Sequence, residues 1–224
     1  MRYSLITLTY DKLAVTRRCL NALLRDTASD APWEVVVVDN GSSDDTPRWV
    51  GEWLAAVGAA RGVPVRLLRN PANIGCSAAR NQGIAAAAGE YLVFLDNDVA
   101  PRTRAWLPRL RAVIEAAPGI GLAGPKMVYP APGASIQCAG VGISRRGHVC
   151  FRGRGRPNGD PAFAVSADVQ CLISACLMVR ADLLRQHGGF DPVFHPVQFE
   201  DFDLCYRLRE QGQGGGRGGC AGAI

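Results

Sequence analysis

The sequence predicts an α/β fold with a mostly parallel sheet flanked by helices, on three observations. Short β-branched or apolar runs alternate with segments of helical periodicity through the first two-thirds of the chain. The runs at residues 35–38 and 91–95 are apolar at every position, as strands covered on both faces are. Three of the runs end directly in polar residues, at Tyr10-Asp11, Asp39 and Asp96-Asn97-Asp98. At 224 residues and 48% hydrophobic content the chain can bury one core without disulfide staples.

Each element follows from its local pattern. Residues 4–9 read as a strand; after it Leu13, Leu20, Leu23 and Leu24 share a helical face and leave Arg17, Arg18 and Arg25 to solvent. Residues 34–38 form a buried strand ending in a polar turn, beyond which Pro47 suits a first helical turn and Val50, Trp53, Leu54 and Val57 repeat at helix spacing. Residues 65–68 are a third strand, and residues 73–77 lead into an alanine-rich helix that stops at Gly89. Residues 91–95 are expected at the centre of the sheet. Trp106, Leu107, Leu110, Val113 and Ile114 mark a helix, and residues 122–129 a strand. From residue 130 to 161 the pattern gives way to Gly, Pro and Arg, a hairpin and long loop with strand-like stretches at 141–143 and 148–151. An apolar run at 169–179, a short helix at 181–187, a turn at 188–192 and a helix opening near Glu200 complete a domain over residues 1–212. Residues 213–224, Gly-rich and without an apolar period, are expected to be a disordered tail.

Charge and cysteine usage exclude several classes. The net charge of +5 is scattered and announces no nucleic-acid binder, though it suits an anionic ligand. The eight cysteines contain no C-x-x-C pair, and His148, His187 and His195 are too scattered for a metal cluster, so reduced thiols in a cytoplasmic compartment are expected. The sequence has neither a secretory leader pattern nor an apolar run of about 20 residues, so lipid-linked material would be reached peripherally, at the inner face of the membrane. The basic stretch Arg145, Arg146, Arg152, Arg154 and Arg156 could touch phosphate but reads as a solvated loop. The G-x-G-x-x-G match at residues 119–124 follows a helix and precedes a strand, the reverse of a dinucleotide turn.

In open α/β sheets ligands bind beyond the carboxyl ends of the strands, which makes the three strand-end clusters the first candidates. Asp39 can bond a ribose or base, or simply cap a turn. Asp96 and Asp98, two carboxylates at the mouth of an apolar strand, call for a positive partner; Mg²⁺ or Mn²⁺ held together with nucleotide phosphates would serve. Glu200, Asp201 and Asp203 open a helix, where acids favour the macrodipole; one of them could instead accept a proton from an incoming hydroxyl.

Taken together, the stretches Leu8-Thr9-Tyr10-Asp11, VVVVDNGSSDDT, NIGCSAARNQGI, EYLVFLDNDV, GLAGPKMVYP and ISACLMVRADLLRQHGGFDPVFHPVQFEDFDLCYRLREQG resemble the family 2 glycosyltransferases with a GT-A fold, in particular bacterial rhamnosyltransferase-like members. The resemblance runs in family order to Gly212. It implies a Rossmann-like nucleotide-diphospho-sugar transferase in which Thr9, Tyr10, Asp11 and Asp39 contact the nucleoside and Arg80 lies near the nucleotide. It makes Asp96-Asn97-Asp98 the D-x-D motif, with Asp98 the direct metal ligand. Ser174, Ala175 and Cys176, with Ser in place of the family's Gly, would line the acceptor side with Glu200, and Asp201 would be the catalytic base. The implied reaction is inverting transfer from a nucleoside-diphosphate sugar, UDP- or dTDP-linked, to a hydroxyl of a glycan or lipid-linked acceptor, with Mg²⁺ or Mn²⁺ as cofactor and no nucleic-acid partner. Family members continue beyond the Glu-Asp helix with further elements, so the Gly-rich end is read as a C-terminal truncation. The alternative reading is a nucleotide-sugar-binding module that transfers nothing. An unperturbed Asp, with a pKa of about 3.9, is a weak base, so the assigned role of Asp201 requires desolvation or late proton transfer.

Overall fold

The structure, a computed structural model, describes residues 1–130, 134–211 and 219–223, without the side chains of 58, 59, 211 and 219–223. The alternating half of the chain runs β1 (Tyr3–Thr9), α1 (Leu13–Asp26), β2 (Trp33–Asp39), α2 (Thr46–Arg61), β3 (Val65–Arg69), α3 (Cys76–Ala86), β4 (Tyr91–Asp96), α4 (Trp106–Glu115) and β5 (Ile120–Pro125). Short strands follow, β6 (Met127–Val128), β7 (Ile136–Cys138), β8 (Val141–Ile143), β9 (Val149–Phe151) and β10 (Ala167–Val169). The chain then forms β11 (Cys176–Arg180), α5 (Ala181–His187), α6 (Glu200–Gln211) and β12 (Gly219–Ala223).

The main sheet has the order β10-β12-β5-β11-β4-β1-β2-β3. β1, β2, β3 and β4 pair in parallel, while β11 runs antiparallel to both β4 and β5. β4 and β5 are therefore parallel to each other, and the carboxyl ends of β1 to β5 share one edge. Register aligns the chemistry on that edge, with Thr9 opposite Asp39 and Leu8 opposite Asp96.

The period of two divides each strand between two cores. Leu5, Val35, Val37, Val93, Leu95 and Met178 face α1, α2 and α4, where Leu20, Leu23, Val50, Trp53, Leu107 and Leu110 are buried. Ile6, Val36, Val38, Phe94, Leu177 and Val179 face the other way, against Ala79, Leu184, Leu204 and Leu208 of α3, α5 and α6. Burying each large aliphatic side chain contributes about 1.5–3 kcal/mol, which is why strands apolar at every position sit mid-sheet. At Gly83 a Cβ would stand 2.4 Å from Ile6 Cγ2, so this glycine lets α3 lie directly on β1.

Three expectations need revision. The strand expected over 122–129 is two, β5 and β6, broken at Lys126, whose Nζ turns out to donate to the carbonyl of Asn158 at 2.8 Å. The apolar run 169–179 likewise holds the end of β10, a buried crossing through Cys171, Leu172 and Ser174, and then β11; continuous burial hid the break. Gly219–Ala223, part of the stretch read as a disordered tail, pairs parallel with β5 and antiparallel with β10. Backbone pairing of this kind needs no apolar period. Residues 131–133 of the expected loop and 212–218 and 224 of the expected domain end and tail lie outside the described residues. Gly121 and Gly124 of the discounted glycine motif lie within β5, packed against Leu183 and Leu172.

Candidate active site

At the end of β2, Asp39 is fully buried. Its Oδ1 accepts from the Thr9 hydroxyl at 3.2 Å, while Oδ2 has no hydrogen-bond partner and the Nε of Arg69 stands 3.8 Å away. A buried acceptor left unmade is costly, and the nearby Arg69 charge offsets part of that cost. Tyr10 beside it is half exposed. Asp11 is spent differently: its Oδ1 accepts from the backbone N–H of Ser43 at 2.7 Å and from Asp44 N–H at 3.3 Å, tying the β1–α1 turn to the β2–α2 turn. The φ of +51° at Asp11 and +59° at Lys12 lets the turn double back to make these bonds.

The sequence reading missed a carboxamide network behind this edge. Asn40 Oδ1 accepts from Asn70 Nδ2 and from Ile74 N–H, while its Nδ2 donates to Asn73 Oδ1 at 2.9 Å. Asn70 and Gln82 exchange a second pair of bonds at 2.8 and 2.9 Å. The signal lay in Asn40 following Asp39 and in Asn73 opening the NIG stretch; neither spacing says that the two meet.

At the start of α3, Gly75 takes a φ of +84°, and Arg80 one turn further on is buried. Its Nη1 donates to Glu200 Oε1 and its Nη2 to Asp96 Oδ1, both at 3.0 Å, and the guanidinium lies 5.2 Å from the centroid of the Phe190 ring. Both outer nitrogens are thus committed to protein carboxylates rather than turned toward a nucleotide. Burial works against the Arg80 charge, yet Asp96, Asp201 and Glu200 outweigh it and its pKa is raised. Glu200, expected on the acceptor side, points inward to Arg80 and also accepts from the Cys76 thiol at 3.2 Å; its Oε2 has no hydrogen-bond partner.

Asp96 sits at the mouth of β4 with two-fifths of its side chain open to solvent. Its surroundings raise its pKa, chiefly by desolvation and with help from Asp98, against the opposing pull of Arg80. Asn97 is turned aside, its Nδ2 donating to Thr16 Oγ1 of α1 at 2.9 Å. Asp98 is exposed and its carboxylate makes no hydrogen bond to any described residue. Among the described residues no group of three His, Cys, Asp or Glu side chains could enclose a metal. The free carboxylate of Asp98 and the open side of Asp96 instead fit a hard cation that takes its remaining ligands from phosphate and water.

Asp201, in the first turn of α6, lies beside Ser174, whose hydroxyl and backbone N–H favour its ionised form. Burial, reinforced by Glu200, nevertheless raises its pKa to about 6 against the lowering effects of Ser174 and Arg80. Its Oδ1 is buried without a hydrogen-bond partner. The two residues before α6 that precede Glu200, Gln198 and Phe199, have φ of +90° and +66°; such strain, roughly 1–3 kcal/mol each, is commonly held at functional sites. Ala175 contributes its carbonyl, which accepts from Asp96 N–H at 3.1 Å and joins the two carboxylate stations. Cys176, by contrast, is buried in the sheet opposite Leu95, and burial pushes its thiol up to about 12. The structure therefore gathers Arg80, Asp96, Ser174, Glu200 and Asp201 around one centre and Thr9 with Asp39 further along the edge, leaving Asn97 and Cys176 aside.

Comparison with known proteins bears on the family and the fold. The family model described as Glycosyl transferase family 2 matches residues 4–187. An uncharacterized protein, y4gI, of Sinorhizobium fredii is 31% identical over 93% of this chain and 23% of its own length. The pre-mycofactocin glycosyltransferase of Mycobacterium tuberculosis is 32% identical over 80% of this chain and 34% of its own length. The chain thus spans about a quarter to a third of these curated relatives. Among solved structures, the mannosyltransferase PcManGT from Pyrobaculum calidifontis in complex with GDP-Man and Mn²⁺ superposes with a TM-score of 0.66 at 21% identity, over 94% of this chain and 52% of that one. TarS 1-349 of S. aureus in complex with UDP-GlcNAc superposes with a TM-score of 0.62 at 21% identity, over 92% and 53%. The fold is of GT-A type.

Proposed function

The chain belongs to glycosyl transferase family 2, and on that premise we propose that it transfers a sugar, with inversion, from a nucleoside-diphosphate sugar to a hydroxyl of a glycan or lipid-linked acceptor. The observation that carries this reading is Asp201, a carboxylate with a pKa raised to about 6 that lies within the field of the same Arg80 that pairs with Asp96. At neutral pH it is ionised yet more basic than an ordinary Asp, which suits a general base. The Asp201 carboxylate takes the proton of the acceptor hydroxyl as the hydroxyl oxygen bonds to the anomeric carbon. The bond from that carbon to the diphosphate oxygen breaks, and its electron pair leaves with the nucleoside diphosphate.

Ser174, beside Asp201, favours its ionised carboxylate. Arg80 anchors Asp96 and Glu200 so that the two stations keep their spacing. Asp39 would mark the nucleoside end of the edge, with Thr9 and the half-exposed Tyr10 beside it; Asp11 serves by fixing the turn. Asp98, with Asp96, would hold Mg²⁺ or Mn²⁺, which when bound supplies Lewis-acid stabilisation of the departing diphosphate. The Mn²⁺ in the PcManGT complex supports a divalent cation as the cofactor. A UDP or dTDP carrier, a hexosyl or rhamnosyl group and a role in cell-surface polysaccharide assembly remain parts of the proposal that rest on the family resemblance. Among the described residues no helix is long and apolar enough to cross a membrane; peripheral contact with a lipid-linked acceptor at the cytoplasmic face is a further part of the proposal.

Transfer from a panel of UDP-, dTDP- and GDP-sugars, followed by nuclear magnetic resonance of the product's anomeric centre, tests the reading. Asp201→Asn is expected to lose transfer by about 10²-fold or more while still binding nucleotide. Undiminished turnover in that variant, or a product that retains the donor's configuration, would contradict it.

A further inference from the structure

Because β4 and β5 are parallel, the chain leaving β5 at Pro125 emerges on the edge that carries Asp96 and Asp98. Residues 134–167 of this segment hold five arginines, Arg145, Arg146, Arg152, Arg154 and Arg156, against the single acid Asp160. Asp160 is taken by Arg156 at 2.7 Å, and the outer nitrogens of Arg152 reach backbone carbonyls. Arg154 is exposed and pairs with no carboxylate among the described residues. Its guanidinium lies 3.9 Å from the centroid of the Phe151 ring. Stacking on a ring fixes the plane of the guanidinium and leaves its in-plane N–H donors free for a bidentate acceptor.

The turn around Arg154 is built to hold it there. Gly153 and Gly155 take φ of +76° and +81°, and a Cβ on Gly153 would stand 2.8 Å from the Phe163 ring. Gly155 N–H donates to Ile136 O at 2.9 Å and Ile136 N–H to Arg156 O at 2.8 Å, which sews the turn to β7. Phe151 packs on the same core cluster as Cys138, Phe202 and Leu204, the last two from the helix that opens with Glu200-Asp201. The Cys138 thiol lies within the field of both charges: burial raises it, Arg154 lowers it and Asp201 raises it.

Resting on the proposed transferase reading, we propose that Arg154 is an anion-binding residue of the acceptor side, so that the acceptor carries a phosphate or diphosphate group near the hydroxyl presented to Asp201. A sugar on a diphosphate-linked lipid carrier and a soluble sugar phosphate share this chemistry.

Three probes separate the possibilities: an alkyl-diphosphate-linked hexose, the hexose 1-phosphate and the neutral alkyl hexoside. Each is titrated calorimetrically into the full chain saturated with nucleoside diphosphate and Mn²⁺. Phosphate-bearing probes are expected to bind at least tenfold more tightly than the neutral hexoside. That advantage should shrink below threefold in Arg154→Ala, return in part in Arg154→Lys and survive in the Arg145→Ala/Arg146→Ala control. A preference for the alkyl-diphosphate probe over hexose 1-phosphate identifies the lipid carrier; equal binding identifies the sugar phosphate. Absence of any phosphate preference, no binding of any probe, or a preference unchanged in Arg154→Ala overturns the proposal. Nucleotide titration into each variant comes first. Wild-type protein that fails to bind nucleotide overturns the transferase reading itself, whereas Arg154→Ala that binds nucleotide normally confines a failure to the acceptor proposal.

Discussion

Asp201 lies between opposing influences, and its raised pKa has two measurable consequences. Transfer should rise with pH through an inflection near pH 6 and level off above it, because the base must be ionised. Stability should move the other way. A carboxyl whose folded pKa lies above its unfolded value binds protons preferentially in the native state, so it destabilises the fold progressively as pH rises from about 4 through 6. Asp201→Asn is therefore expected to stabilise the protein at pH 8, by roughly 1–3 kcal/mol, with the gain fading toward pH 4. Denaturant melts of both proteins across that range check this; a gain independent of pH would contradict it. Arg80 yields the opposite result. Arg80→Ala leaves Glu200 buried without its cation, and breaking such a pair costs about 3–5 kcal/mol, readable as a lower urea midpoint. At this scale residue types were legible from sequence and partners were not. Arg80 could be singled out from its motif, but its commitment to Asp96 at the end of β4 and Glu200 at the start of α6 spans 16 and 120 residues of sequence and emerges only from the tertiary fold.

Among the elements, α3 shows how close packing positions chemistry. Its approach to β1 depends on the missing side chain at Gly83, and the helix carries Arg80 one turn earlier. Gly83→Ala should push the helix off the strand and cost about 1–3 kcal/mol, although alanine is the better helix former. Thermal melts that show a gain instead would mean that α3 sits less tightly on Ile6. The β1–α1 and β2–α2 turns form a second such unit, fastened by Asp11, and Asp11→Ala should weaken nucleotide binding without touching the ligand. Elements with a clean period could be read closely: α5 spans the residues expected, and β1, β2, β3 and β4 each differ by one or two. The β5–β6 and β10–β11 breaks could not, because an apolar run looks the same whether it is one strand or two joined by a buried crossing. β7 and β12 are small-residue or three-residue strands recruited by neighbours that sequence periodicity does not represent.

At the scale of the whole molecule, one sheet edge collects the end of every parallel strand from β1 to β5 and receives β11, α6 and the arginine turn from other parts of the chain. The carboxylates proposed for base, cation and nucleoside, Asp201, Asp98 with Asp96, and Asp39, stand along that edge, and Arg80 ties Asp96 to Glu200 beside Asp201. The α/β class could be read from the alternation of apolar and helical runs, and the edge where the carboxylates gather from the strand-end residues. The role of each acid could not, since burial and partners, not residue type, distinguish the inward Glu200 from the unpartnered Asp201 and the exposed Asp98. The most direct test of the central claim is calorimetric titration of UDP, dTDP and GDP into the wild-type chain and Asp98→Ala, with and without Mn²⁺. The proposed site predicts binding of at least one nucleotide that strengthens tenfold or more with Mn²⁺ and loses that dependence in the variant. A folded wild-type protein that binds none of them, or binds equally well without metal and without Asp98, would contradict it.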